Sequence, residues 1–483
     1  MASRTLGLRE AVEHAIRHGE AIGAYQVEAL ACRARTVMLR VMKAIPSVST
    51  SYTSGLAVRA ATRENVGFAF TTSLRPEFIE DAVEKALASA KAKGRDEYFK
   101  SLPPAIETER LEVRADERIA GLGKEDLLEY YGTMRDVVEG SGKRIALVGG
   151  GMAAQDVVMV LGNSLGLSFE GRRVVFSASA FGLAKDEIPP AEGWESVVTD
   201  DLDEFSAEEL AEKVVEEVCM FKRAKEVELK GDFDVIFRPE AASEMLWIFT
   251  EAMRAENVDR GATPFGRDKV GEQVASEALS IFDDPRSPEN PVRMERDMEG
   301  IPTRRVALVE EGVLKEHLTD YYYAQKWGVE PTGSCTRPWP RLVEAAPHVD
   351  HMFLQVRSRE EKALEDLIGE VDKGFLIKDV MGVHQSDFRS GRFSLPASGW
   401  LVENGELRRP VLRLMMSGTM PDLLKKVDAI SKERKRFLAM TRGYFPALRA
   451  RGVHVVATKS PLKHRIAMRI MSLLARLGLI KVV

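Results

Sequence analysis

The sequence predicts a multi-domain α+β protein, with N-terminal and middle helix-plus-sheet units and a larger β-rich C-terminal unit. Three observations carry this. Four segments, 7–43, 75–93, 124–140 and 206–226, repeat apolar residues at helical spacing, and all lie in the first half of the chain. Beyond about residue 270 the pattern changes to short alternating runs broken by Gly and Asn, which reads as β. The 483 residues, 45% of them hydrophobic, are enough for two or three separate cores.

In chain order, 7–43 reads as one or two helices, with Arg and Glu between the apolar positions. Residues 51–73 are rich in Thr, Val, Phe and Gly and read as two strands joined near Arg63-Glu64-Asn65. Pro76 opens the next helix and Gly94 closes it. Leu102-Pro103-Pro104 marks a linker, so the first unit spans 1–105. The middle unit, 110–226, reads as a helix (124–140), a set of short strands with Gly and Asn-Ser turns (144–184) and a second helix. Ser206 caps that helix, with Glu209 at the capping-box position.

The third unit spans 230–445. It opens with a strand at Asp234–Phe237 that runs through Pro239 into a helix. Hairpins turn at Glu311-Gly312 and Asn404-Gly405, the latter carrying the strongest short-range hairpin signal. Residues 360–368 and 420–430 read as short helices, the second following the last strong strand. Residues 446–483 read as a basic amphipathic tail. There Ile466, Ile470, Leu473, Leu474 and Leu477 form a stripe flanked by Lys463, Arg465, Arg469 and Arg476.

Composition narrows the function classes. No apolar run is long enough to span a membrane, and the first twenty residues lack the apolar centre of a secretory signal. Three widely spaced cysteines, Cys32, Cys219 and Cys335, support neither a disulfide framework nor a cysteine zinc site and fit a cytoplasmic location. Residues 431–483 hold 13 of the 69 Lys and Arg but one of the 74 acidic residues. The body is therefore acidic, which argues against nucleic-acid binding by the main fold. The preferred reading of the tail is docking on protein, ahead of an acidic membrane surface or nucleic acid.

Candidate chemistry is sparse. His14 and His18 are four apart on a helix, but no neighbouring Glu or third ligand completes a metal site, and a surface pair is the simpler reading. His348 and His351 would point to opposite faces of a strand. Cys335 with His384 leaves a nucleophilic pair open, although a buried cysteine is the simpler reading. Phosphate-binding loops are absent: the glycines of 148–156 fit neither common pattern. The polar loop around His384, Asp387, Arg389 and Arg392, together with Asn404, supplies candidates for substrate or partner contact. Its simpler reading is a solvated loop with an internal Asp–Arg pair.

The order of several blocks resembles the TldD/PmbA family. SGLAVRA with GFAFTTS, Leu102-Pro103-Pro104, and the segments 264–285, 299–333 and 398–424 are similar to consecutive family blocks over roughly residues 20–430. The active TldD branch carries HExxxH on the helix after the GDFDVIF-like strand, plus a late Cys, and binds zinc. Counted onto this chain, the two His positions fall at Leu246 and Glu251 and the Glu position at Trp247. No His occurs between residues 19 and 316, and no Cys follows Cys335. The resemblance therefore implies the PmbA/TldE-type branch. On that reading the chain has no catalytic residue and no cofactor of its own, and zinc is expected in a TldD-type partner. The implied assembly is a heterodimeric protease acting on peptides or unfolded polypeptides, with a homodimer as a possible substitute. Two alternatives remain: a regulatory protein binding through its basic tail, and a stand-alone non-zinc hydrolase.

Overall fold

The computed structural model describes residues 4–476 apart from 114 and 223. The first half comprises α1 (Leu8–Ala21), β1 (Gln26–Met42), β2 (Ile45–Ala61), β3 (Val66–Thr71), α2 (Pro76–Ala92), α3 (Glu117–Gly121), α4 (Lys124–Gly140), β4 (Ile145–Asn163), β5 (Ser168–Ala184), β6 (Glu192–Thr199) and α5 (Ala207–Phe221). The two units expected here share one antiparallel sheet, ordered β3-β2-β1-β4-β5-β6. Its seam is the β1–β4 pairing, from Glu28 opposite Asn163 to Met42 opposite Gly149.

Two sequence expectations change here. Residues 26–42 form a strand rather than the second half of a helical segment. Val37 and Leu39 pack into the core under α4 and α5, whereas Leu30, Cys32 and Ala34 pack against Met294, Met298 and Leu342 of the third unit. A strand covered on both faces reads as a near-continuous apolar run, without the alternation that identifies a half-buried one. Residues 144–184 form two long strands rather than several short ones, because Gly149, Gly150 and Gly151 lie inside β4. Gly150 has φ +115°, and a Cβ there would sit 2.2 Å from the Ser179 carbonyl oxygen. Both the backbone angle and the close approach require glycine.

Other local readings hold. The Ser206 hydroxyl accepts from the Glu209 N–H at 3.1 Å. Asn404 and Gly405 have φ of 54° and 73°, which suits a two-residue hairpin turn with both residues left-handed.

In the third unit, strand Leu229–Phe237 leads into α6 (Pro239–Met253). Strands Lys373–Val380, Arg392–Glu403, Glu406–Thr419 and Arg442–Ala457 complete a closed ring with Leu229–Phe237. Alternation along these strands sends Val235, Phe237, Phe375 and Ile377 into the core around α6. Ile236, Leu376, Trp400 and Val402 face the first sheet's helices. The Phe221–Trp400 ring contact, with centroids 5.4 Å apart, ties α5 to the outer face of the strand ring within that second core.

The tail begins later than the sequence suggests. Residues 446–457 belong to the ring strand Arg442–Ala457, where Phe445, Ala447, Ala450 and Val455 have no exposed surface. Before it, Val427–Leu438 is also a strand, not the end of a helix and the start of a tail. The basic residues that suggested a tail are instead tied to the acidic body. Arg449 pairs with Asp428 and Glu370, Arg451 with Asp428 and Asp234, and Arg434 with Glu361.

The C-terminal helix, Leu462–Arg476, touches the body through Ser472, whose hydroxyl accepts from the Ile188 N–H, and through the buried Ala475. Ile466, Ile470 and Leu473 are exposed, so this part of the apolar stripe is not docked on the chain itself. Leu477 lies outside the described residues. Among the described residues, no helix is long and apolar enough to cross a membrane.

Candidate functional site

Helix α6 is the element to which the family resemblance assigns metal ligands. It is apolar and enclosed: Ala241, Ala242, Met245, Ile248, Phe249, Ala252 and Met253 are all buried. Leu246 is 2% exposed within the same core. The Trp247 indole meets Phe388 edge-on, with ring centroids 5.2 Å apart. The Glu251 carboxylate accepts from Arg254 Nη1 at 3.0 Å. Zinc needs nitrogen, sulfur or oxygen donors. Leu246 offers none, the indole N–H can only donate, and Glu251 is committed to a guanidinium. Leu246, Trp247 and Glu251 therefore do not fit a metal, and no hydrolytic step can be built on them.

The loop candidates gather beside this helix. His384, Asp387, Arg389 and Arg392 are exposed, and Phe388 between them anchors the loop on Trp247. Asp387 accepts from the Ser390 hydroxyl at 2.6 Å and from the Arg389 N–H at 3.1 Å, and its own N–H donates to the Arg392 carbonyl. The Ser390 hydrogen bond is the main reason its carboxyl lies below the usual range. Asn404 is not part of this group. It closes the far end of strand Arg392–Glu403, roughly 35–40 Å away at the usual rise per residue, and its N–H donates to the Asp372 carbonyl.

The remaining sequence candidates fall elsewhere. His14 and His18 stack on α1 and face Glu80 and Glu84 of α2, at 2.9 and 3.4 Å. Cys335 is fully buried, and burial together with Glu299 and Asp297 pushes its thiol well up. A thiol held protonated is a poor nucleophile. Among the described residues, Asp297, Glu299 and Cys335 are the one group whose potential ligand atoms converge, within 4.8 Å of one another. Their oxygens are already used. Asp297 accepts from the N–H groups of Glu299, Ile301 and Cys335, while Glu299 accepts from Arg59 and from the Tyr321 N–H. With the Arg59 guanidinium alongside, this group suits a structural lock rather than a cation site. Glu28 extends the lock by pairing with both Arg59 and Arg337, tying β1 and β2 to the third unit.

A cavity of about 840 Å³ lies between the first sheet and the third unit, within the size range of small-molecule sites. Its floor is the sheet face opposite α4 and α5. Arg173, Val175, Ser177 and Ser179 alternate along β5, and Gly151, Ala153 and Gln155 face the same way on β4. Its roof includes Met298, Trp339, Met352 and Phe437. His348 and Asp350 also line it, while His351 turns away into the protein. Asp350 accepts from His351 Nδ1 at 2.8 Å and from Arg442 Nη2 at 2.7 Å.

Sequence reasoning missed Arg173, Trp339, Asp350 and Arg442. The available signal was in RRVVFSASAF: Val174, Phe176 and Ala178 form one apolar face, which leaves Arg173, Ser177 and Ser179 on a face that is not ordinary core.

Residues 230–457 match the model of the PmbA/TldA metallopeptidase C-terminal domain. A Haemophilus influenzae protein named metalloprotease PmbA homolog is 25% identical over 447 residues, covering 88% of this chain and 91% of that protein. An uncharacterised protein of Methanocaldococcus jannaschii is 26% identical over 428 residues, covering 88% and 96%. The fold is that of TldE from Thermococcus kodakarensis, with a TM-score of 0.85 at 24% identity, covering 92% of this chain and all of that one. With the C-terminal domain matched over residues 230–457 and these two relatives aligned along most of their length, the comparisons support the TldD/PmbA family for this chain.

Proposed function

We propose that this chain is the non-catalytic subunit of a peptide-processing metalloprotease whose zinc is held by a TldD-type partner. One observation carries the reading: on the helix where the family resemblance puts the metal ligands, this chain has a core leucine, a packed indole and a glutamate paired with arginine. Relatives named as metalloproteases support the reaction class. In this reading the chain stabilises the partner and supplies part of the wall that admits peptide or unfolded substrates. Zinc belongs to the partner, and the pair works in the cytoplasm.

The test is co-expression with a TldD-type chain from the same organism, followed by size exclusion. A stable complex that hydrolyses peptides, while this chain alone does not, is the expected result. Two chains that elute separately under matched conditions would remove the proposal.

The exposed Ile466, Ile470 and Leu473 favour a second reading, regulatory binding through the C-terminal helix. It requires that deleting residues 458–483 abolish partner binding.

A further inference from the structure

Arg173 is 7% exposed, and among the described residues its guanidinium has neither a hydrogen-bond acceptor nor an acidic partner. Its neighbour across the cavity is Trp339, whose ring centre lies 5.9 Å from Cζ. Other buried guanidinium groups are neutralised: Arg59 by Glu28 and Glu299, Arg337 by Glu28, and Arg449 by Asp428 and Glu370. A buried ion without a counter-charge is costly, and the fold avoids that cost at these other sites. Burial lowers the Arg173 pKa to about 10, which still leaves the group charged at neutral pH.

The surroundings deepen the asymmetry. Five arginines line the cavity, Arg40, Arg173, Arg337, Arg436 and Arg442, against one carboxylate, Asp350. Asp350 is already held by His351 and Arg442. A cation-rich cavity inside a chain of net charge −5 is a local feature, not the average of the protein. Arg337, Arg436 and Arg442 each have an acidic partner, although Arg337 Nε and Arg436 Nε find no acceptor, so among the described residues Arg173 is the buried guanidinium of this lining that has no counter-charge. One planar fork matches a carboxylate, which accepts two parallel N–H bonds. The same fork can pair with a phosphate; the apolar roof of Met298, Trp339, Met352 and Phe437 favours an anion carried beside an apolar side chain.

The rest of the cavity suits a peptide. Gly151, Ala153, Ser177 and Ser179 keep the floor low, while Trp339 is fixed by the hydrogen bond from its Nε1 to Gln155 Oε1 at 2.9 Å.

We propose that this cavity binds a carboxylate-bearing peptide, with the carboxylate on the Arg173 guanidinium and the adjoining side chain against Trp339. The proposal deepens the reading of this chain as a peptide-handling subunit. Its test uses this chain alone, so it can fail while association with a partner stands.

The experiment is calorimetric titration of the full chain with three N-acetylated peptides: tetra-alanyl-phenylalanine with a free carboxylate, the same peptide amidated, and an amidated version with one internal glutamate. The free acid is expected to bind at least about tenfold more tightly than the plain amide, the scale of a charge-assisted pair. Recovery of binding by the glutamate peptide would assign the carboxylate to a side chain, and no recovery would assign it to a chain terminus. Arg173→Met should remove the preference, and Arg173→Lys should keep part of it. Arg173→Met should also raise the melting temperature of the peptide-free chain, because it removes an uncompensated charge. An arginine kept for structure would lower it. Equal binding of all three peptides, no binding of any at millimolar concentration, or an unchanged preference in Arg173→Met would overturn the proposal.

Discussion

Trp247 and Phe388 meet edge to face, ring centroids 5.2 Å apart, and this contact fixes the His384–Arg392 loop to helix α6. Edge-to-face pairs add about 0.5–1.5 kcal/mol beyond simple burial. Trp247→Ala should therefore destabilise the chain by about 2–3 kcal/mol, since the indole is only partly enclosed. Denaturant melts of the variant and of Phe388→Ala should show losses that do not add, because the two rings share one contact.

Rebuilding a ligand on α6 should damage the core rather than create a site. Leu246 is 2% exposed among apolar neighbours, so Leu246→His buries an imidazole without a partner. A cost of about 2–4 kcal/mol follows from lost packing and desolvation. Thermal melts and metal analysis of the purified variant check this: a lower melting temperature and no zinc retained are expected.

Asp350 should contribute to the acid sensitivity of the fold. Burial opposes its ionisation, but His351 and Arg442 outweigh burial and hold its carboxyl well below the usual range. With the folded-state pKa depressed, the stabilisation is fully present above the ordinary aspartate value of about 4 and is lost as pH falls below it. Asp350→Asn should lower stability at pH 7 by about 3–5 kcal/mol, as breaking a buried pair does. It should also flatten the acid limb of the stability curve below about pH 4.

The corrected start of the tail gives a truncation test. Ending the chain after Ala457 keeps every ring strand and should leave a folded protein. Ending it after Phe445 removes Ala447, Ala450, Val453 and Val455 from the core and opens the ring. Circular dichroism and limited proteolysis should show a stable core in the first case and none in the second.

Elements with local signatures were legible in the sequence. Ser206 and Glu209 announced a helix start, Asn404-Gly405 a hairpin, and the helical repeat of 124–140 the helix α4. What failed were elements defined by non-local burial. Residues 26–42 are covered on both faces and lost their alternation, so the Arg and Glu among them suggested a helix. Arg434, Arg449 and Arg451 read as part of a basic tail because their partners, Glu361, Asp428 and Asp234, are remote in sequence or strand order. The cavity was illegible for the same reason. Arg173 and Trp339 are far apart in the chain, and only the packing of the first sheet on the third unit brings them together. The loss of the His-Glu-His set at Leu246, Trp247 and Glu251 needed only the sequence and the family resemblance, whereas the pairing of Glu251 with Arg254 needed the structure.

The most direct test of the central claim is zinc stoichiometry and peptidase activity of the complex between this chain and a TldD-type partner, with the partner's HExxxH intact or mutated. One zinc per heterodimer, with activity and metal both lost on mutating the partner, is the predicted result. Zinc bound stoichiometrically by this chain alone, or activity that survives the partner's mutation, would contradict it.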